Sequence, residues 1–187
     1  MKIYREISGY GGGPCVAALG MFDGVHIGHQ ALIRTAVALA RELGVACVVC
    51  TFDRHPMRVL CPERAPKPLL SLEENLEKFA LLGADAALIE SFTPEFGAMA
   101  PEDYLRMLAR GLSAKAVVAG ENHTFGRAGR GDAAMIRDMA AELGYRAVIV
   151  PPVMDGDVVC SSTYIRALLA AGETEHASRL MAIDSAD

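Results

Sequence analysis

The stretch Pro14-Cys15-Val16-Ala17-Ala18-Leu19-Gly20-Met21-Phe22-Asp23-Gly24-Val25-His26-Ile27-Gly28-His29-Gln30 decides the fold that this chain is expected to adopt. Its first part, residues 14–20, is a short apolar run, which is typical of a buried parallel strand. From residue 30 to residue 43 the apolar residues recur at helical spacing. His26 and His29 therefore lie in a turn that joins a strand to a helix.

This turn has the features of an anion site. Free backbone N–H groups and the positive end of the helix dipole attract phosphate at such a position, and Gly24 and Gly28 let the backbone pass close to a ligand. Two imidazoles can donate hydrogen bonds to phosphate oxygens as negative charge builds during phosphoryl or nucleotidyl transfer. A glycine-rich turn with two surface histidines is the alternative that this segment alone leaves open.

The composition predicts one compact domain. With 187 residues, 52% of them hydrophobic, the chain can bury a substantial core. A formal net charge of −5 argues against a general nucleic-acid or anionic-membrane binder, because such partners select a clustered basic face. Residues 1–6 carry charges where a signal peptide needs an apolar core, and no apolar run reaches the length of a membrane span. We therefore expect a cytoplasmic protein.

Apolar segments with the length of strands alternate with segments of helical periodicity along the chain. We predict strands at 14–20, 45–51, 84–90, 115–119 and 146–151, and helices at 29–43, 71–82, 101–111, 132–143 and 161–171. This alternation indicates a parallel sheet covered by helices on both faces, a Rossmann-like α/β fold. Residues 1–187 contain no internal repeat or linker, so we expect a single domain.

The five cysteines lie in otherwise apolar segments, and their odd number fits a reducing compartment better than a disulfide framework. Cys47 and Cys50 have the C-x-x-C spacing of many metal and redox sites. They fall within the predicted strand 45–51, where residues three apart point to opposite faces. We therefore predict that all five cysteines are core or near-core residues and that the chain has no metal ligands of its own.

The connection at 53–70 contains four prolines and is too long for an ordinary turn. Loops of this length in compact domains are usually functional or disordered. The connection leaves the carboxyl end of its strand, as does the turn with the two histidines, and ligands of open α/β sheets bind at that edge. Arg54, His55 and Arg58 are then available near an anionic ligand, although Arg58 fits a solvated connector equally well.

A second anion site is predicted where the helix at 161–171 begins. Ser161, Ser162 and Thr163 place hydroxyl groups at its N-terminus, where hydroxyls and free N–H groups bind phosphate oxygens. Arg166 lies four residues after Ser162 on the same face and adds a charge that can bind phosphate bidentately. Its positive charge near a helix N-terminus opposes the helix dipole unless an anion is present.

Four motifs, taken together, make the chain resemble a known family. Residues 22–30, F-D-G-V-H-I-G-H-Q, match the H-x-G-H signature of the nucleotidyltransferase superfamily and resemble the adenylyltransferase module of bacterial FAD synthetases. T-F-D-R-H-P at 51–56 resembles that family's T-F-D-P-H-P, and G-E-N-H-T-F-G at 120–126 resembles its G-E-(D/N)-F-x-F-G. S-S-T-Y-I-R at 161–166 resembles its S-S-T-x-I-R element. The resemblance runs in order from about residue 19 to residue 180.

The resemblance implies transfer of AMP from ATP to FMN, which gives FAD and pyrophosphate, with Mg²⁺ on the ATP phosphates. The phosphate oxygen of FMN is already a nucleophile, so catalysis would rest on alignment and charge stabilisation. The implied catalytic residues are His26, His29 and Arg166. The implied ATP- and phosphate-binding residues are Gly20, Phe22, Asp23, Gly28, Ser161, Ser162 and Thr163, and the implied flavin-side residues are Phe52, Asp53, His55, Asn122, Thr124 and Phe125.

The chain departs from the family pattern at three points. Arg54 takes the place of a proline, and His123 takes that of a Phe or Tyr. The riboflavin kinase module that typically follows in bacterial FAD synthetases is absent after residue 180, so we expect FMN adenylylation without phosphorylation of riboflavin. Two alternatives stay open: an H-x-G-H transferase that acts on another phosphorylated acceptor, and a flavin- or nucleotide-binding protein without catalysis.

Overall fold

The computed structural model describes residues 1–183. The strands are β1 (Lys2–Tyr4), β2 (Cys15–Leu19), β3 (Ala46–Phe52), β4 (Ala86–Glu90), β5 (Ala114–Gly120), β6 (Arg146–Val150), β7 (Met154–Asp155) and β8 (Val158–Val159). The helices are α1 (Ile27–Leu43), α2 (Met57–Leu60), α3 (Leu72–Leu81), α4 (Pro94–Gly97), α5 (Pro101–Gly111), α6 (Ala133–Asp138), α7 (Ala140–Leu143), α8 (Ser162–Ala170) and α9 (Thr174–Met181).

A parallel sheet forms the centre of the fold, in the order β1-β4-β3-β2-β5-β6. The prediction of a Rossmann-like α/β fold is thus confirmed, and all five predicted strands are present with ends shifted by at most two residues. The predicted helix at 132–143 was wrong as one element, because the chain leaves α6 at Met139 and restarts as α7.

Several short or mostly polar elements escaped the sequence prediction, among them α2 and α4, which have four residues each. Strand β1 has three residues and two of them are exposed, so it carries no detectable periodicity. The hairpin of β7 and β8 is equally short. Helix α9 is mostly polar and buries only Ala177 and Leu180, which pack with α8 in a small separate cluster.

Hydrophobic clusters cover both faces of the sheet. Alternate residues of β2 and β3 point to opposite sides, one side packing on α1 and α3 and the other on α5 and α6. Cys47 lies on the side of the sheet that packs on α1 and α3, and Cys50 lies on the side that packs on α5 and α6. The two cysteines of the C-x-x-C pair therefore cannot share a metal ion. Cys61 was wrongly predicted as a core residue: it is partly exposed in the 53–70 connection, where its thiol contacts Glu63 at 2.7 Å.

The order of the strands reverses next to β2. The chain proceeds from β2 outward to β3 and β4, and then crosses to β5 and β6 on the other side of β2. The carboxyl ends of β2 and β5 therefore border a crevice of the kind in which open α/β sheets bind ligands. Gly20 directly follows β2, and Gly120 is the last residue of β5. The histidine turn and the 120–126 segment therefore face each other across the crevice.

We expect Phe79→Ala to lower the free energy of unfolding by ~3–5 kcal/mol, the usual cost of emptying a buried aromatic site. Phe79 is 1% exposed and packs α3 onto the sheet. Leu81, two residues away on the same helix, is 74% exposed, and Leu81→Ala is the matched control, with an expected change below ~0.5 kcal/mol. Urea denaturation measures both, and similar losses in the two variants would contradict this packing of α3.

Candidate active site

The turn after β2 has a strained backbone. Phe22 and Val25 have φ of 50° and 42°, a left-handed conformation that costs a non-glycine residue ~1–2 kcal/mol. Gly24, with φ of 84°, also has no room for a Cβ, which would lie 2.8 Å from the side chain of Leu69. Such strain persists only where the surroundings over-determine it and is typical of functional sites.

Buried hydrogen bonds fix this backbone. The amide N–H of Gly24 donates to Oδ1 of Asn75 over 3.1 Å, and Nε2 of Gln30 donates to the carbonyl of Val25 over 3.0 Å. Gln30 also donates to the carbonyl of Ala182 over 2.7 Å, which ties the chain after α9 to the start of α1. The turn is therefore held from both α3 and the C-terminal segment.

His26 and His29 are stacked, with ring centroids 3.7 Å apart and an angle of 22° between the planes. The backbone at Gly28 leaves room for this stack, since a Cβ there would lie 3.2 Å from the His26 ring. Burial lowers the pKa of His26 to about 4. Burial, and then the neighbouring His26, lower the pKa of His29 well below its usual value. Both rings are therefore neutral at pH 7, and Nδ1 of each is buried without a hydrogen-bond partner among residues 1–183.

The start of α8 is bonded to the histidine turn. Ser162 donates a hydrogen bond from Oγ to the carbonyl of Asp23 over 2.9 Å. Ser161 caps the helix, since its Oγ accepts from the N–H of Tyr164 over 3.1 Å. These contacts bring Ser161 and Ser162 next to the imidazole pair. The two predicted anion sites, which are far apart in sequence, thus lie side by side in the fold.

Asp23 and Arg166 form an ion pair between this turn and α8, with side chains 10% and 24% exposed. The other carboxylate oxygen of Asp23 accepts from the N–H groups of Leu69 and Leu70, over 2.9 and 3.4 Å. Nε of Arg166 donates to the carbonyl of Lys67 over 2.8 Å. Asp23 therefore supplies the anion near the helix N-terminus, and the charge of Arg166 no longer requires a bound phosphate. A catalytic role for Arg166 stays a prediction.

A cavity of about 270 Å³, called here the nucleotide cavity, opens beside the two histidines. Its walls come from the ends of β2 and β5, from the segment after β6 and from the start of α8. It brings together the following predicted residues: Gly20, Phe22, His26, Gly28, His29, Asn122, Ser161 and Ser162. Asp23, Thr163 and Arg166 do not line it, and Thr163 is exposed.

A second cavity, called here the aromatic cavity, has a volume of about 250 Å³. It is lined by five aromatic rings, those of Phe52, Phe92, Phe96, Tyr104 and Phe125. Phe96 contacts Phe52 and Tyr104 edge-on, with centroids 5.3 and 5.9 Å apart, and Tyr104 lies 5.4 Å from Phe125. The rings thus line an apolar space, which suits an aromatic ligand.

A bridging cavity of about 230 Å³ connects these two spaces. It shares Gly20, Met21, Asn122 and His123 with the nucleotide cavity. It shares Phe52, Pro56, Tyr104, His123 and Thr124 with the aromatic cavity. The three cavities therefore lie next to one another along the carboxyl edge of the sheet, and together they are called here the groove.

Asp53 and His55 do not line the aromatic cavity, although both were predicted on the flavin side. The carboxylate of Asp53 binds Arg54 at 2.7 Å, the hydroxyl of Ser91 at 3.0 Å and the N–H of Phe92 at 3.1 Å. Nδ1 of His55 accepts from the N–H of Met57 over 3.1 Å. Both side chains therefore hold the 53–70 connection in place and border a different cavity, of about 190 Å³.

Four residues with aromatic or imidazole rings line the groove but were not predicted as site residues: Phe92, Phe96, Tyr104 and His123. The two phenylalanines follow β4 at the same sheet edge as the motifs, and this position was the signal that could have revealed them. Tyr104 lies within α5 and has no such signal. His123 was visible only as a departure from the family pattern.

The described part of the chain contains no group of three or more His, Cys, Asp or Glu side chains arranged to hold a metal ion. Mg²⁺ keeps several waters and usually binds through substrate phosphates and one or two carboxylates. The donor set is thus compatible with a Mg²⁺ ion that arrives on ATP. No helix in residues 1–183 combines the length and apolarity needed to cross a membrane.

A double-mutant cycle on Asp23→Ala and Arg166→Ala is expected to give a coupling free energy of ~1–3 kcal/mol, because the pair is mostly shielded from water. The exposed pair Arg106–Asp103, with an N–O distance of 3.3 Å, is the control, and Ala substitutions there should couple by at most ~0.5 kcal/mol. Denaturant unfolding of the single and double variants provides the values. Equal coupling in the two pairs would show that Asp23 and Arg166 do not hold the turn to α8.

Comparison with known proteins identifies the family to which the chain belongs. A family model described as FAD synthetase matches residues 12–164. The bifunctional riboflavin kinase/FMN adenylyltransferase of Bacillus subtilis (strain 168) is 35% identical over 169 residues, which are 89% of this chain and 52% of the relative. A putative bifunctional riboflavin kinase/FMN adenylyltransferase of Geobacillus thermodenitrificans is 35% identical over 181 residues, 97% of each chain.

The chain spans about half the length of several curated relatives that it matches. Among solved structures, a protein described as a macrolide-efflux protein from Streptococcus pneumoniae superposes with a TM-score of 0.84 at 28% identity, over 96% of this chain and 59% of that one. Pantoate-beta-alanine ligase from Francisella tularensis, with a TM-score of 0.58 and 15% identity over 100% of this chain and 80% of that one, shares the fold. The family match and these relatives show that the chain belongs to the FAD synthetase family.

Proposed function

We propose that this chain transfers AMP from MgATP to FMN and releases FAD and pyrophosphate. The observation that carries the proposal is the groove, in which a bridging cavity shares lining residues with a cavity beside two neutral histidines and with a cavity lined by five aromatic rings. The first end suits a nucleoside triphosphate and the second a flavin ring. The two substrates would then meet at the bridging cavity, near His26 and His29.

In the proposed reaction, a phosphate oxygen of FMN attacks the α-phosphorus of ATP. A new P–O bond forms there while the bond from the α-phosphorus to the oxygen bridging to the β-phosphate breaks, and pyrophosphate leaves with that oxygen. Negative charge builds on the α-phosphate oxygens. Neutral imidazoles of His26 and His29 can each donate one N–H to these oxygens, and donors that are already fixed in place stabilise such charge without reorganisation.

The triphosphate would lie over the starts of α1 and α8. Free backbone N–H groups at a helix N-terminus bind phosphate, and Ser161 and Ser162 add hydroxyl groups at the wall of the nucleotide cavity. Mg²⁺ belongs to this substrate as MgATP. Arg166 pairs with Asp23 and donates a hydrogen bond to the carbonyl of Lys67. To bind the β- and γ-phosphates, its guanidinium group would have to replace one of these two contacts with a contact to the phosphate.

The isoalloxazine ring of FMN would occupy the aromatic cavity, against Phe52 and Phe125. Offset or edge-to-face contacts with flat rings stabilise such a ligand beyond the area that it buries. This cavity is also the feature that favours FMN over the second candidate, another phosphorylated acceptor, because an acceptor without a planar ring would leave the five rings unused. We further propose that the chain acts in the cytoplasm and that residues 1–187 do not phosphorylate riboflavin.

The test is chromatography of the purified protein incubated with MgATP and either FMN or riboflavin. We expect FAD from FMN and no FMN from riboflavin. FAD formation from FMN depends on both ends of the groove, so its absence would disprove the proposal and lead to a screen of other phosphorylated acceptors. Formation of FMN from riboflavin would show that the chain has kinase activity as well.

We expect His29→Ala to lower kcat by roughly 10²–10³, the range for loss of one transition-state donor, while the Kd for ATP changes little. His176→Ala is the control, since His176 lies outside the three cavities and its Nε2 contacts Asp155 at 2.8 Å. Steady-state kinetics together with ATP titration separates the two effects. A matching loss of ATP affinity and turnover would mean that His29 only binds ATP in the ground state.

A further inference from the structure

His123 lies where all three cavities meet. Its side chain lines the nucleotide cavity, the bridging cavity and the aromatic cavity. Its ring is nearly parallel to that of Phe125, with centroids 5.7 Å apart and an angle of 23° between the planes. The family pattern has Phe or Tyr at this position, so this chain has a polar ring in the middle of the proposed path of the acceptor.

Nε2 of His123 is buried and has no hydrogen-bond partner among the described residues. Buried polar atoms in native proteins are nearly always paired, and an unpaired one requires an explanation. Two of the three atoms of this kind in residues 1–183 belong to His26 and His29, whose partner in the proposed function is ATP. The third belongs to His123, the residue that lines all three cavities.

The backbone around His123 leaves it little freedom to find a partner within the protein. Its N–H donates to the carbonyl of Gly120 over 3.0 Å, which closes a tight turn after β5. Two residues later, Phe125 exchanges backbone hydrogen bonds with Gly131 over 3.0 and 2.9 Å. A Cβ at residue 131 would lie 2.4 Å from the Phe125 ring, so the segment is closely packed there. The backbone on both sides of His123 is thus held in place.

The ring is also in the right ionisation state to recognise a neutral group. Burial lowers the pKa of His123 to about 4, so the imidazole is uncharged at pH 7. A neutral imidazole has one N–H donor and one nitrogen acceptor, and the tautomer decides which of the two is Nε2. A hydroxyl group can donate or accept, and therefore satisfies either tautomer. A flavin carbonyl would satisfy only one of them.

We propose that His123 is a specificity-determining residue, whose Nε2 forms a hydrogen bond with a hydroxyl of the ribityl chain of the flavin substrate. The inference rests on the proposed function. If the isoalloxazine ring fills the aromatic cavity and the phosphate reaches His26 and His29, the chain that links them crosses the bridging cavity beside His123. Rejection of acceptors without these hydroxyls follows, because they leave Nε2 unpaired.

The test compares wild-type protein with His123→Phe, which keeps an aromatic ring and removes the polar atom. Fluorescence titration gives the Kd for three flavins: FMN, riboflavin, which lacks the phosphate, and lumiflavin, which has a methyl group in place of the ribityl chain. We expect the Kd of FMN and of riboflavin to rise about tenfold, the effect of one hydrogen bond of ~1.4 kcal/mol, and the Kd of lumiflavin to change less than about twofold. His123→Gln, which keeps a polar group, should recover part of the loss.

Three results would overturn the inference. Unchanged affinity for all three flavins would show that His123 contacts none of them. An equal loss for all three would assign the effect to packing against the ring, and a loss for FMN alone would assign it to the phosphate. Thermal unfolding of His123→Phe, expected at or above the wild-type temperature, shows that the variant is folded.

Two outcomes separate this inference from the proposed function. If the wild-type protein makes FAD and His123→Phe binds flavins as well as the wild type does, only this inference is refuted. If the wild-type protein makes no FAD from FMN, the proposed function itself is refuted.

Discussion

The buried carboxylate of Asp23 is the contact on which the geometry of the groove depends. One oxygen accepts hydrogen bonds from the N–H groups of Leu69 and Leu70, and the other forms an ion pair with Arg166. The histidine turn, the 53–70 connection and α8 therefore meet at this one side chain. A carboxylate shielded from water is favourable only when its oxygens are satisfied by such donors. The same contacts that solvate Asp23 therefore also fix the three segments. A strained turn with left-handed φ at two non-glycine residues can persist because these bonds hold it.

The buried side-chain nitrogen atoms that lack hydrogen-bond partners in residues 1–183 belong to residues of the groove. The three buried side-chain atoms without partners in residues 1–183 are ring nitrogens of His26, His29 and His123, and all three rings line the groove. Burial lowers the pKa of each ring, so the protein keeps all three neutral at pH 7. Unfolding would return them to water, where they titrate near their usual pKa. The unfolded chain then binds more protons between about pH 6.5 and pH 4, and these groups make the fold less stable as the pH falls through that range.

Much of the fold could be predicted from the sequence because its signals are local. Parallel strands buried on both faces appear as short apolar runs, and the helices between them show their own periodicity. The five longer strands and the helices between them could therefore be predicted in their order along the chain. The rule that ligands bind at the carboxyl edge then placed three of the motifs in one crevice. Partners of individual side chains could not be predicted in this way. Asp53 and His55 occur in a family motif, yet their polar atoms bond to the backbone and side chains of the 53–70 connection and to the residues after β4.

The aromatic cavity shows why the remainder of the site was beyond a sequence argument. Its rings come from the end of β3, the segment after β4, helix α5 and the loop after β5, so no single stretch of sequence contains the pattern. Each ring alone is more easily explained as core. Only their assembly makes an apolar space, and His123, which also lines it, carries a buried Nε2 without a hydrogen-bond partner among residues 1–183. An apolar cavity distinguishes ligands weakly by size, whereas a buried polar atom rejects a ligand that cannot pair with it much more strongly. Under the proposed function, the five rings therefore bind the flavin ring, and His123 adds the discrimination between ligands that can pair with its Nε2 and ligands that cannot.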